Sequence, residues 1–294
     1  MWQGFLNRIK AHILPYDILT AVFIILLLGI TSFFHSQLPR ANHLASIYIS
    51  LFIALIFFSM MPRDLYDKKA IVHLFYPVFL IPIIFESLGE LIPYVNPHFI
   101  DATLFKMDTF LCGNTPCLLL QKWIHPWLTE VLQLAYMSYY FMPLILGTVF
   151  FIKKDKRLSS FIFAILLGFY LSYIGYLLFP ALGPRFWLDP THSVYKNTYL
   201  AKWLAYCLNV LEKNKTDAFP SGHTQISLMC TYFASYLGKG WLFLFGISTT
   251  LLIISTIYCR YHHVTDVIAG IALALICLKI APPLEKHIWR WIKS

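Results

Sequence analysis

The feature that most constrains this chain is a series of apolar runs, each about 17 residues or longer. They cover 18–34, 44–61, 71–92, 127–152, 158–180, a segment starting at 220, 241–258 and 264–281. A bilayer core about 30 Å thick is crossed by a helix of about 20 apolar residues, and backbone groups within lipid must pair inside the protein. The runs therefore predict an all-α polytopic membrane protein, a helical bundle of about eight spans. No Gly/Ser-rich linker or repeat divides it, so 1–294 reads as one transmembrane domain, with extra spans in 1–70 and a catalytic helical core in 71–283. Composition agrees. Only 13% of residues are charged, against roughly 25% in soluble domains.

The first run follows Arg8 and Lys10 with no small-residue cleavage site after it, and reads as a retained anchor. The net charge of +9 comes with no nucleic-acid recognition motif, so no nucleic-acid partner is expected. Lys and Arg instead concentrate in short connecting segments, among them Lys153, Lys154, Lys156 and Arg157. The positive-inside rule then puts both termini on the cytoplasmic side. On that topology the loop 181–218, the start of the segment at 220 and the turn before 264 share the opposite side. Six cysteines form no CxxC pair and indicate no zinc or redox site. Cys112, Cys117 and Cys207 fall in loops placed outside, where a disulfide is conceivable.

Between 93 and 124, Pro93, Pro97, Gly113, Asn114 and Pro116 interrupt any long helix. The interval 100–111 reads as a short amphipathic helix lying at the interface or covering a pocket. The stretch 181–218 reads as a long polar loop carrying Arg185. Glu86 and Glu90 share a helix face, and Glu86 is deep enough to need protein around it. Tyr136, Tyr139 and Tyr140 need hydroxyl partners wherever they are buried.

Two polar stretches stand out: Phe219-Pro220-Ser221-Gly222-His223-Thr224 and Arg260-Tyr261-His262-His263-Val264-Thr265-Asp266. Such residues are costly at a membrane boundary and mark a functional site by default. Pro220 would open a helix whose first amides, at Ser221, Gly222 and His223, face an anion. His223 can hold and give a proton near neutral pH. His262 and Asp266, four apart, share a helix face, so the carboxylate can fix one imidazole nitrogen and leave the other free to attack. Arg185 and Arg260 can grip phosphate oxygens. His263 would point away from His262 and serve structure. Together these groups supply what phosphoryl transfer needs.

The segment 220–270 resembles the type 2 phosphatidic acid phosphatase superfamily, which contains membrane lipid phosphatases and phosphotransferases. Its PSGH signature is present at Pro220–His223. Its SRxxxxxHxxxD signature aligns with Ser255 to Asp266, with Thr256 at the arginine position and Arg260 one turn later. Its lysine-arginine-proline signature is altered: Leu178 stands where the lysine belongs, and Pro184 precedes Arg185. Lys106 could replace the missing cation. The Asp101-to-Pro116 pattern and the tyrosine cluster resemble the inositol phosphorylceramide synthase branch.

The resemblance implies a phosphohistidine mechanism without metal or other cofactor. His262 would attack, Asp266 would orient it, and His223 would protonate the leaving group. Arg185, Arg260, Ser221 and Gly222 would hold oxygens, with Lys106, Asp108, Tyr136, Tyr140 and Glu86 around the substrate. It tilts toward transfer of a phospho-head-group to a lipid hydroxyl of ceramide or diacylglycerol type. A simple lipid phosphate phosphatase, acting on phosphatidate, phosphatidylglycerophosphate or a polyprenyl diphosphate, is the alternative. A non-enzymatic transporter or scaffold would need acidic residues through the spans, and a metal hydrolase using His223, His262, His263 and Asp266 would be chelator-sensitive. The sequence leaves the lipid donor, the acceptor and the oligomeric state open.

Overall fold

The computed structural model describes residues 12–61, 64, 66, 71–188 and 194–294. Ten helices of ten residues or more are described in it: α1 (Pro15–Phe33), α2 (Ala41–Ser59), α3 (Ile71–Val95), α4 (Asp101–Cys112), α5 (Pro126–Ile152), α6 (Leu158–Leu178), α7 (Leu200–Leu211), α8 (Gly222–Ala234), α9 (Lys239–Tyr258) and α10 (Val264–Lys293). Single turns at Pro116–Leu119 and Pro184–Trp187 lie between them. Among the described residues, β pairing is confined to one bridge, Ala181 to Asp217.

Among the described residues, seven helices are long and apolar enough to cross a membrane by themselves: α1, α2, α3, α5, α6, α9 and α10. The segment from 220 is shorter: α8 has 13 residues, extended by a 3-10 turn at Ser235–Leu237. It runs antiparallel to α9, because His223 at its start faces His262 just past the end of α9. Thr224, Gln225, Ser227 and Thr231 make it too polar for lipid, so it sits among α5, α6, α9 and α10. Gln225 Nε2 donates to the Gly168 carbonyl at 3.1 Å, and Thr231 meets Thr249 at 2.7 Å. α6 is the most enclosed of the spanning helices and forms the bundle's axis.

α4 falls where the 100–111 pattern puts a helix, but it turns the other way. Its inward face carries Asp101, Leu104 and Asp108, while Phe110 is 88% exposed. The carboxylates win the interior because backbone amides await them there. Asp101 accepts the amides of Leu182 and Gly183 at 2.8–3.1 Å. The loop 181–218 is also more structured than its polarity suggests. α7 buries Ala201, Ala205 and Leu208 and exposes Trp203, Tyr206 and Val210. Glu130 of α5 holds its start, accepting the Tyr199 and Ala201 amides at 2.7 and 2.6 Å. α10 runs past the predicted end near 281 to Lys293, its last turns polar. All six cysteines are free, so the disulfide considered for the outer loops does not form.

Candidate active site

The two histidines of the separated motifs face one another. His262 Nε2 lies 3.3 Å from His223 Nδ1. Three elements bring them together. His223 is in the first turn of α8, His262 is in the turn between α9 and α10, and the loop ending at Ala218 passes behind. His262 Nδ1 donates to the Ala218 carbonyl at 2.8 Å. A carbonyl only accepts, so this bond fixes the proton on Nδ1 and leaves the Nε2 lone pair toward His223. Asp266 lies 3.5 Å from the same Nδ1 but accepts its closest bond, 2.7 Å, from the His263 amide, capping its own helix. The tautomer is therefore set first by a backbone carbonyl, with Asp266 as the nearby charge.

The helix N-terminus expected to hold an anion is already taken up by protein groups. Ser221, not Pro220, is the N-cap, and its side chain accepts the Thr224 amide. Its own amide donates to the Asp266 carbonyl at 3.1 Å, and the Tyr176 hydroxyl bonds the Gly222 backbone. Ser221 and Gly222 thus both have protein partners at this helix start. Gly270 permits this: a Cβ there would sit 2.5 Å from the Ser221 carbonyl oxygen, so only glycine lets α10 touch the start of α8.

The arginines diverge. Arg185 sits in the turn Pro184–Trp187, which Asp101 pins through Gly183. Gly183 has φ +81, and a Cβ there would lie 2.3 Å from the Tyr261 carbonyl oxygen. The Arg185 amide donates to the Arg260 carbonyl at 2.8 Å. Its guanidinium lies 4.6 Å above the Tyr261 ring, and its charge acts on both histidines. Arg260, with φ +64, is buried, and its Nε and Nη2 have no hydrogen-bond partner. Its charge is felt by Cys117, whose thiol burial nevertheless pushes up to about 11.

His263 faces away from His262. Its Nδ1 is 3.2 Å from Asp108, and its ring meets Phe105 edge-on at 4.5 Å. Asp108 also accepts the Val264 and Thr265 amides. Burial alone would raise the Asp108 carboxyl, but these bonds hold it below its ordinary value. Asp108 therefore braces the turn. Lys106 is exposed on α4. Glu86 accepts the Lys213 amide at 3.1–3.2 Å and so holds the loop. Tyr136 stacks between His223 and Tyr261 at 4.4 and 4.0 Å. Tyr140 donates to Glu212. No group of three or more His, Cys, Asp or Glu among the described residues is arranged to hold a metal ion.

A cleft of about 280 Å³ runs between α3, α5 and α6 and ends at His223, Glu212 and Asp217. Its walls are apolar, with Val78, Ile81, Leu144 and Ile165 among them. His223 Nε2 is buried at this end and has no partner. Sequence reasoning missed Glu212 and Asp217, which lie in a polar stretch without distinctive spacing. Burial raises both carboxyls, and their mutual repulsion adds to it at Asp217, which reaches about 6. Burial pushes His262 down to about 4, while Asp217 and the Ala218 carbonyl pull the other way. The lowered value favours the neutral ring of His262.

The sequence profile of the PAP2 superfamily matches residues 102–280. The chain belongs to that superfamily. A PA-phosphatase related-family protein of Dictyostelium discoideum is 29% identical over 172 residues, covering 51% of this chain and 31% of that relative. The chain thus spans less than a third of the curated relative it matches. No solved structure matches it. The facing histidines lie inside the matched region.

Proposed function

We propose that this PAP2 protein cleaves lipid phosphate esters through a phosphohistidine on His262 and passes the phosphoryl-bearing group to a lipid hydroxyl. The observation that carries this reading is the 3.3 Å approach of His262 Nε2 to His223 Nδ1 at the end of an apolar cleft. A phosphate entering beside the rings meets the lone pair of His262 and the charge of Arg185, with Arg260 as a second cation whose Nε and Nη2 are unpaired. Nε2 attacks phosphorus, an N–P bond forms and the ester P–O bond breaks. Burial, with His262 and Arg185 nearby, holds His223 well below its ordinary value, and a bound phosphate anion opposes that shift, so that the protonated ring gives its proton to the leaving oxygen. Asp266 and Asp217 offset the positive charge left on His262. In the second half an acceptor hydroxyl gives its proton to His223 and displaces His262 from phosphorus. The Lys and Arg distribution favours a non-cytoplasmic site with both termini cytoplasmic.

The apolar walls support a lipid substrate, since a cleft of that chemistry solvates alkyl chains and not sugars or nucleotides. Resemblance to the inositol phosphorylceramide synthase branch favours transfer. The name of the Dictyostelium relative favours the second reading, a simple phosphatase in which water takes the acceptor's place. Incubating the purified protein with radiolabelled phosphatidate or a phosphodiester lipid, with and without a long-chain alcohol, separates them. A labelled new ester is expected when the alcohol is present. Inorganic phosphate alone, unaffected by the alcohol, would remove the transfer reading. Turnover that survives His262→Ala would remove the phosphohistidine.

A further inference from the structure

A second buried polar cluster lies outside the region that the family profile covers. Asp17 in the first turn of α1 is 1% exposed, and His73 of α3 is fully buried. The Asp17 carboxylate accepts the Leu14 amide at 2.8 Å, His73 Nε2 at 3.0–3.1 Å and the Tyr76 hydroxyl at 3.0 Å. The Tyr16 and Tyr76 rings flank His73 at 5.7 and 5.8 Å. Phe58 of α2 stacks on Tyr76 at 5.4 Å. One turn further along α1, Thr20 meets the Tyr170 hydroxyl of α6 at 2.9 Å. α1 is thus tied to both α3 and α6.

Those two helices are walls of the apolar cleft. Leu74, Phe75, Pro77 and Val78 line it from α3, and they alternate along one helical turn with the clasped His73 and Tyr76. α3 is also weak at this point. Pro77 and Pro82 lie inside the helix. A proline offers no amide, so the carbonyls four residues earlier, those of His73 and Val78, lose their helical partner. Backbone bonding alone does not hold this wall straight, and the contacts to Asp17 supply the missing constraint. In an apolar setting such a carboxylate is costly unless it is fully bonded, which makes the clasp an all-or-none joint.

We infer that Asp17 is a positioning residue for substrate selection: the Asp17–His73–Tyr76 clasp fixes the α3 wall of the cleft and so sets the fit of the substrate's alkyl chain. This rests on the lipid-substrate reading above. It touches no reacting atom, so its effect grows with chain length and spares the chemical step.

The test uses the full-length protein in detergent micelles, with dioleoyl and dihexanoyl phosphatidate compared in wild type, Asp17→Asn and Tyr76→Phe. Tyr76→Phe keeps its ring on Phe58 and loses one hydrogen bond, so it covers the case in which Asp17→Asn does not fold. In both variants KM for the dioleoyl substrate is expected to rise, by about tenfold in Asp17→Asn and less in Tyr76→Phe, with kcat retained. KM for the dihexanoyl substrate should change by less than about twofold. An equal change for both chain lengths, a fall confined to kcat, or no change would overturn the inference. If the wild type turns over neither phosphatidate, the proposed function fails by itself. The clasp is then read from a fluorescent long-chain alcohol, which should bind the wild type more tightly than either variant, and equal binding would overturn it.

Discussion

Two aspartates in this molecule occupy the same local position and do different work. Asp17 and Asp266 each stand in the first turn of a helix, reach back to bond the capping amide, and lie beside a buried histidine. What separates them is the second nitrogen of that histidine. At the α10 end, the backbone carbonyl of Ala218 takes Nδ1 of His262, and Nε2 meets another histidine at the end of a cleft. At the α1 end, Asp17 takes Nε2 of His73, and Nδ1 has no partner and is closed in by tyrosine rings. An Asp–His pair is therefore uninformative until the far nitrogen is located. On the proposed mechanism, reactivity belongs to the pair whose far nitrogen lies at the end of the cleft, that of His262.

Alanine replacements break this comparison most directly. His262→Ala is expected to lower turnover by about 10⁴-fold or more with thermal unfolding close to wild type. His73→Ala should do the reverse. It leaves the Asp17 carboxylate short of a partner, costs roughly 3 kcal/mol of stability, and preserves kcat on a water-soluble phosphate ester. Equal losses of turnover from the two would show that the free nitrogen does not distinguish them.

His223→Ala comes next, at about 10²- to 10⁴-fold in turnover. The loss should shrink with a p-nitrophenyl leaving group, which departs without a proton. A loss independent of the leaving group would make His223 a structural partner of His262 instead of an acid. A smaller effect is expected at the arginines. Arg185 acts on both histidines, whereas Arg260 acts on Cys117. Arg185→Ala should cost about 10²- to 10³-fold in kcat/KM and Arg260→Ala about tenfold. The opposite order would move the phosphate to the Arg260 side of the turn.

Much of this was legible in sequence because the signals were strong and local. Apolar runs mark the spans, a proline- and glycine-broken interval marks the α4 region, and the spacing of His262 and Asp266 brings them within 3.5 Å, although His262 lies in the turn before α10 and not on its face. What the sequence hides shares a cause. α8 is enclosed by other helices instead of facing lipid, because Thr224, Gln225 and Thr231 need helix neighbours. The partners of Ser221 and Gly222, the Asp266 carbonyl and the Tyr176 hydroxyl, lie 45 residues after and 45 residues before Ser221 in the chain. The inward turn of α4 was hidden for the same reason, since the amides that Asp101 and Asp108 accept lie in distant loops. Periodicity shows which residues share a face, but long-range hydrogen bonds decide which face goes inside.

The smallest expected effect concerns Asp217, whose carboxyl burial raises to about 6. A raised carboxyl means that the fold favours the protonated form. That stabilisation is complete below the ordinary Asp value of about 3.9 and is lost as pH rises through about 6. His262 runs oppositely. Burial lowers it to about 4, so the fold favours its neutral form, and that contribution is present above the ordinary value of about 6.5 and lost as pH falls toward 4. Neutral His262 is needed for attack, and ionised Asp217 offsets the charge that attack creates. Turnover should therefore fall first as pH drops through about 6 and again near 4. Asp217→Asn is expected to lower the neutral-pH rate by less than about tenfold and to abolish the upper limb, leaving the one near 4. Its stability should also vary less than the wild type's between pH 4 and 6, measured as the unfolding temperature across that window. Persistence of the limb near 6 in Asp217→Asn would assign it to another group facing the cleft end, and Glu212, held by Tyr140, is the next to replace.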